Sequence, residues 1–235
     1  MRLHRPKPLL RTDPTKTLQN KVHRFIKAKI MNRGFKPGQS LTDSTISEEL
    51  KISRTPVREA LYLLEHEGLV IRQNRGGWKV SSLSLRDIQE IFEIKVALEG
   101  MMARRAVVCK DIAKRAALKK QLKRMKKTAS IKDYEGWRNA DIELHNIIFA
   151  MYGNDRAARI INDLNDQWYR VRIGLATLEG RLERSNREHE EIVASMLAGN
   201  GKKAERLMMK HLNNVCDELV HMLIHLVLPF AEGGV

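Results

Sequence analysis

The sequence predicts a mainly α-helical protein in two parts: a small N-terminal unit of three helices and a hairpin, then an all-helical antiparallel bundle of about six helices. Three observations predict it. Apolar residues recur at three- and four-residue spacing along most of the chain. One short stretch breaks that rhythm, Leu69-Val70-Ile71, Asn74-Arg75-Gly76-Gly77, Trp78-Lys79-Val80. Beyond Ser81 the character changes, and no further strand signal follows.

The elements follow in order. Residues 1–15 carry three prolines and several basic groups and read as a flexible basic arm. From Lys16 to Arg33, Leu18, Val22, Phe25, Ile26 and Ile30 keep helical spacing, and Gly34 supplies the stop. Lys36-Pro37-Gly38 reads as a turn, and a short helix over 43–51 turns Ile46 and Leu50 inward. A third helix runs from Ser53 to Gly68, and the hairpin after it has a glycine tip that permits positive φ. Three helices and a hairpin within residues 16–81 make a winged helix-turn-helix. Ser84-Leu85-Arg86-Asp87 reads as a capping box that opens the second part, residues 85–228. Helices are expected near 85–108, 112–128, 131–152, 154–178, 183–198 and 202–227, with turns at Gly153-Asn154, Glu179-Gly180 and Gly199-Asn200-Gly201.

Ser53-Arg54-Thr55-Pro56-Val57-Arg58-Glu59-Ala60-Leu61 is the most informative stretch. Ser53 suits an N-cap, and Pro56 is tolerated where first-turn amides have no partner inside the helix. At 3.6 residues per turn Val57, Ala60, Leu61 and Leu64 share one arc, with Arg54, Arg58 and Thr55 on the neighbouring arc. An apolar back and a cationic, hydrogen-bonding front near the N-terminus suit a DNA major groove. An ordinary surface helix with solvated arginines is the competing reading.

Composition sets bounds. The 235 residues hold 43 Lys plus Arg against 28 Asp plus Glu, a formal charge of +15, which favours a polyanionic partner. Cys109 and Cys216 stand far apart without CxxC spacing and read as buried free thiols in a reducing, cytoplasmic setting. No apolar run reaches membrane-spanning length, and the basic N-terminus lacks the apolar core of a secretion signal. Lys114–Lys127 holds eight basic residues in fourteen around Ala117, Leu118, Leu122 and Met125. A solvated helix face explains it; contact with flanking DNA phosphates is the alternative.

Four ligand-type residues fall on apolar faces. Asp141 and His145, four apart, share a face with Leu144, Ile148, Ile142 and Phe149. His189 shares a stripe with Ile192, Val193 and Met196, and His211 with Ala204, Leu207, Val215 and Met222. Each histidine alone reads as a satisfied core residue. A buried carboxylate is harder to dismiss, because it needs a cation or strong donors. One Asp and three His meeting in a core would suit a divalent transition metal such as Zn, Ni, Mn or Fe. His221 and His225 lie about 15 and 21 Å beyond His211 along a helix, too far to share that ion, and read as packing or subunit contacts.

These residues resemble the GntR family of bacterial transcription regulators, in its FadR-like branch with an FCD ligand-binding domain. In the first unit the resemblance rests on Lys36-Pro37-Gly38-Gln39-Ser40-Leu41, the nine residues from Ser53, and Leu64-Glu65-His66-Glu67-Gly68-Leu69-Val70. In the second it rests on Asp141-Ile142-Glu143-Leu144-His145, Glu188-His189-Glu190-Glu191-Ile192 and His211-Leu212. The resemblance implies a homodimer on a roughly palindromic operator, with Arg54 and Arg58 on bases or backbone and Thr55 on a phosphate. The wing tip at Arg75 and Gly76 would enter the minor groove. The resemblance places Asp141, His145, His189 and His211 on the metal positions of the metal-dependent members, where the metal helps hold a small organic acid or stabilises the effector domain. Two positions depart from the pattern. Asp43-Ser44-Thr45 stands where many relatives place a DNA-reaching arginine. Lys95 stands where they often place an arginine that reaches the ligand, and Arg172 is a candidate substitute.

The expectation is a DNA-binding regulator, a repressor by family habit, whose operator affinity answers to a small carboxylate held near a metal. A direct metal sensor is the alternative within the regulatory class, and a non-specific architectural DNA binder is a further one. A metal-dependent hydrolase is a weaker rival, because no separate general base stands at a recognisable spacing and the winged helix would be unexplained.

Overall fold

The computed structural model describes residues 14–74 and 76–224, with side chains except at 14–17 and 170–174. The chain divides into two compact units, Met1–Ser82 and Leu83–Val235.

The first unit contains α1 (Pro14–Met31), β1 (Ser40–Leu41), α2 (Asp43–Leu50), α3 (Arg54–His66), β2 (Val70–Arg72) and β3 (Trp78–Val80). Its core is the one the apolar spacing sets out. Val22, Ile26 and Ile30 of α1 pack with Val57, Ala60, Leu61 and Leu64 of α3, closed by Leu69, Val70, Trp78 and Val80. Each fully buried Val, Ile or Leu contributes about 1.5–3 kcal/mol. Outside this core, His23 and Lys27 of α1 clasp Glu67 at 2.6 and 2.9 Å. Helix α1 begins at Pro14, inside the expected arm, a residue type suited to the first turn. The rest of that arm, residues 1–13, lies outside the described residues, as does Arg75.

The sheet holds one strand more than the spacing reveals. β1 pairs antiparallel with β3, with Leu41 opposite Trp78, and β3 pairs antiparallel with β2. Two residues are too few to show alternation, so the sequence leaves Ser40 and Leu41 unassigned between the turn at 36–38 and the helix that follows. Gly77 earns its place twice, with φ +81 and a position where a Cβ would stand 2.9 Å from the Leu41 carbonyl oxygen.

The second unit contains α4 (Leu85–Ala106), α5 (Ile112–Ser130), α6 (Tyr134–Tyr152), α7 (Asp155–Ala176), α8 (Arg181–Leu197) and α9 (Gly201–Met222). Helix α4 lies along α9 and α5 along α6. The capping box forms at Ser84 and Asp87. At Gly100 a Cβ would stand 2.7 Å from Met209 Cγ, so the missing side chain sets how closely α4 approaches α9. Two starts differ from expectation. Helix α6 opens at Tyr134, where the Asp133 side chain accepts from the Gly136 amide, and α8 opens at Arg181 after Gly180 at φ +67.

One surface expectation needs correction. Cys109 and Cys216 are free but only half-buried, and Cys109 sits in the turn after α4, which stops at Ala106. His221 is exposed, and His225 lies outside the described residues. On α5, Leu118 and Met125 are buried while Lys119, Lys120, Lys123, Arg124 and Lys127 face solvent. Among the described residues no helix is long and apolar enough to cross a membrane.

Candidate DNA-reading surface and metal centre

Helix α3 turns its apolar arc into the first unit and leaves Arg54, Thr55 and Arg58 exposed at its start. Ser53 occupies the N-cap with extended backbone, yet its side chain makes no capping hydrogen bond. The third helical position is Pro56, which has no N–H to donate, so the usual partner of a capping hydroxyl is missing. Ser53 is exposed and its hydroxyl is left without a capping bond at a helix N-terminus, a combination that suits a phosphate. Arg58 is directed by its neighbour: its Nε and Nη2 donate to Oδ2 of Asp43 at 2.8 and 2.5 Å. The stretch that departs from the family pattern thus supplies a carboxylate that orients Arg58. At the wing, Gly76 is exposed with φ +91, and its amide donates to the Gln73 carbonyl.

In the second unit the structure brings His145 of α6, His189 of α8 and His211 of α9 together, each offering a ring nitrogen within 4.8 Å of the others. Asp141, 3 % exposed, borders the cluster with Oδ1 3.2 Å from His189 Nε2. Each imidazole has Nδ1 engaged on its outer side. His145 Nδ1 lies 2.6 Å from Glu99 Oε2, His211 Nδ1 lies 2.6 Å from Glu188 Oε2, and His189 Nδ1 lies 2.8 Å from the Ser185 carbonyl oxygen. All three outer partners are acceptors, so each Nδ1 carries the proton and each Nε2 presents a lone pair.

Those lone pairs converge. His145 Nε2 and His189 Nε2 are 3.1 Å apart. Acceptor facing acceptor at this distance is repulsive unless a cation or an additional proton lies between them. The proton is disfavoured at His189, because burial, then the neighbouring His211 and His145, push its pKa well below 6.5. A spacing of 3.1 Å suits two nitrogens each about 2.0–2.1 Å from one ion. Burial would raise the pKa of Glu99, but the Lys95 ammonium and His145 outweigh it and hold the carboxylate ionised. The residues present therefore fit a divalent transition metal.

A cavity with a free volume of about 40 Å³ lies beside the cluster, with Phe92, Trp137 and Trp168 among its apolar walls. Lys95 also lines it, but its Nζ donates to Glu99 at 2.5 Å and to Asn165 at 2.6 Å, so its charge is already matched. The side chain of Arg172 lies outside the described residues. Four groups escaped the sequence reading of this region: Glu99 and Glu188, which orient imidazoles, and Arg138 and Arg181, which line the cavity. For the arginines a signal existed. Arg138 is one turn before Asp141, and Arg181 is two turns before His189 on the same stripe.

A winged helix-turn-helix with a cationic helix start, joined to a helical bundle, defines a DNA-binding regulator. Comparison with known proteins agrees. Residues 18–80 match the bacterial regulatory proteins of the gntR family, and residues 90–214 match the FCD domain. The chain belongs to the GntR family of transcription regulators, in its FCD-carrying form, and that family is not one of enzymes. It is similar to the HTH-type transcriptional regulator YdhC of Bacillus subtilis (strain 168), with 28% identity over 203 residues, 84% of this chain and 89% of the relative. It is also similar to the HTH-type transcriptional repressor RspR of Escherichia coli (strain K12), with 25% identity over 208 residues, 88% of this chain and 91% of the relative. Among solved structures, E. coli McbR/YncC shares the fold with a TM-score of 0.72 at 20% identity, covering 87% of this chain and 98% of its own. A GntR regulator from Rhodococcus sp. RHA1 does so with a TM-score of 0.71, at the same identity and coverage.

Proposed function

We propose that this regulator is a cytoplasmic homodimer that represses transcription from a roughly palindromic operator and answers to a small organic acid bound beside a metal. Repression is supported by relatives that carry repressor names, RspR and GlaR of E. coli. The observation that carries the metal reading is the convergence of three Nε2 lone pairs whose Nδ1 protons are all engaged outward. Asp141, His145, His189 and His211 would hold the ion, Zn, Ni, Mn or Fe by donor chemistry. When bound, the ion supplies a positive pole for a carboxylate in the adjoining cavity. The chain's own residues do the rest: Glu99, Glu188 and the Ser185 carbonyl fix the ring orientations, and the aromatic walls exclude water. On DNA, Arg54 and Arg58 read base edges or backbone, Thr55 binds a phosphate, and Arg75 with Gly76 forms the wing tip that reaches the minor groove.

The test uses the full chain and an operator selected from a random duplex pool, at one stated salt concentration because phosphate contacts make affinity salt-dependent. Operator affinity is measured after chelation, after metal reloading, and after adding small carboxylates at fixed metal. Affinity that changes only when an acid joins the metal supports this reading. A response to metal alone identifies a direct metal sensor instead.

A further inference from the structure

Helix α5 carries a charge pattern that neither the winged unit nor the imidazole cluster accounts for. Its 19 residues hold no Asp or Glu, whereas α4, α6, α7, α8 and α9 each mix both signs. Leu118, Gln121, Met125 and Thr128 are buried, which turns Lys119, Lys120, Lys123, Arg124, Lys126 and Lys127 to the surface. The helices packed against α5 do little to neutralise them. Lys126 pairs with Glu190 of α8 at 2.6 Å, on side chains 60% and 37% exposed, a contact of little strength in water. Helix α6 offers its Glu135 to Arg138 instead, and Asp133 caps α6 itself. The other five cations have no ion-pair partner among the described residues. Like charges three and four residues apart destabilise a helix. Lys119, Lys123 and Lys127 form one such row, and Lys120 with Arg124 forms a second. Mixed signs, as on the neighbouring helices, would solvate the face equally well without that cost. The single sign points to a partner of opposite charge.

We infer that α5 is a second DNA-contacting surface, which binds the phosphates of duplex flanking the operator. The inference rests on the operator-binding reading above and extends the contact beyond the winged unit. Charge density supports a nucleic-acid backbone. The six cations lie between positions 119 and 127, about 12 Å of helix at 1.5 Å per residue, so one stands about every 2 Å. Duplex DNA carries one negative charge about every 1.7 Å along its axis. The make-up of the face argues against other anionic partners. Between Ile112 at its start and Ile131 just beyond its end, the exposed apolar residues are alanines, Ala113 and Ala116. An acidic protein surface would need aromatic or aliphatic anchors at the centre of the contact. A membrane would need an apolar face to receive, and that of α5 is packed within the bundle. Phosphates need neither, and contacts to them add affinity without reading sequence. Once the winged unit holds a duplex, a second surface on the same chain meets its flanks at raised effective concentration.

The experiment gives the full-length protein two duplexes: the selected operator alone, and the same operator extended by about 30 bp on each side, three helical turns of about 10 bp. Fluorescence anisotropy measures affinity across a range of salt concentrations. The expected result is tighter binding to the extended duplex, by about tenfold or more at low salt, with a steeper salt slope. Lys119→Gln, Lys123→Gln and Lys127→Gln together should remove that advantage and about 2–3 units of slope, at roughly 0.9 per phosphate contact. Affinity for the operator alone should stay unchanged. An equal loss of charge on the exposed start of α9, Lys202→Gln with Lys203→Gln and Arg206→Gln, should leave the advantage in place. Lys119→Arg, Lys123→Arg and Lys127→Arg together should also preserve it, since either cation serves a phosphate. Should the glutamine triple on α5 lose its helical circular dichroism, Lys123→Gln alone decides, with about one unit of slope lost. No advantage for the extended duplex in the native protein, or an equal fall in both glutamine triples, overturns the inference and leaves the operator reading standing. Failure to select any operator overturns both.

Discussion

Arg58 on α3 is tethered to Asp43 on α2, the helix before it, with two guanidinium nitrogens converging on one carboxylate oxygen. The tether links the two helices of the helix-turn-helix on its solvent side, where Arg58 is still 54% exposed. An unrestrained arginine samples many rotamers, and ordering it on DNA costs entropy. A preset guanidinium reduces that cost and restricts which base edge it meets.

Arg58→Ala should therefore weaken operator binding by roughly tenfold or more, the scale of a good base contact, with the helical circular dichroism unchanged. Asp43→Ala should act differently: operator affinity falls, while affinity for random duplex holds or rises because a negative charge near the phosphates is gone. The ratio of the two affinities at one ionic strength is the readout. An unaltered ratio in Asp43→Ala would show that the tether has no part in discrimination.

Glu188 orients His211 and also accepts from Asn214 Nδ2 at 2.6 Å. Glu188→Gln should lower metal affinity by about 10–100-fold in chelator competition without unfolding the bundle. Asp141→Ala should remove the stoichiometric metal altogether. Retention of a full equivalent by elemental assay would place the ion elsewhere.

Glu67 supplies the pH dependence of the winged unit. Burial alone would raise its pKa, but hydrogen bonds from His23 and Lys27 outweigh this and lower it below 4.5. The folded state thus holds the carboxylate charged where the unfolded chain begins to protonate it. The stabilisation is fully present above about pH 4.5 and is lost as pH falls through the folded value. Urea midpoints of the first transition, followed from pH 6 to pH 3, should drop steeply in the native protein and less steeply in Glu67→Gln. Parallel slopes would refute this account.

Gly77→Ala combines positive φ with a clash against the Leu41 carbonyl. It should cost about 1–3 kcal/mol of winged-unit stability and displace the wing. Gly76→Ala, where a Cβ would meet nothing within 4 Å, should cost less. Thermal melts compare the pair directly.

Much of this was legible from residue order. Helix spans followed from apolar spacing, and Ser84 with Asp87 announced the start of α4. The three imidazoles could be nominated because each lay on an inward stripe. The outer carboxylates could not, since Glu99 acts across to a helix 46 positions away and looks like any helical glutamate in one dimension. Ser53 misled for a local reason: a good capping residue was followed by Pro56, which removed the amide it would have bound. Strand β1 was hidden by its two-residue length.

Glu99 connects the imidazole cluster to α4, the first helix after the boundary at Ser82. It lies fourteen positions into that helix, about 21 Å from Leu85 at 1.5 Å per residue. A long helix bends little over such a length. The same continuous helix thus carries the partner of an imidazole at one end and the first residues after the unit boundary at the other.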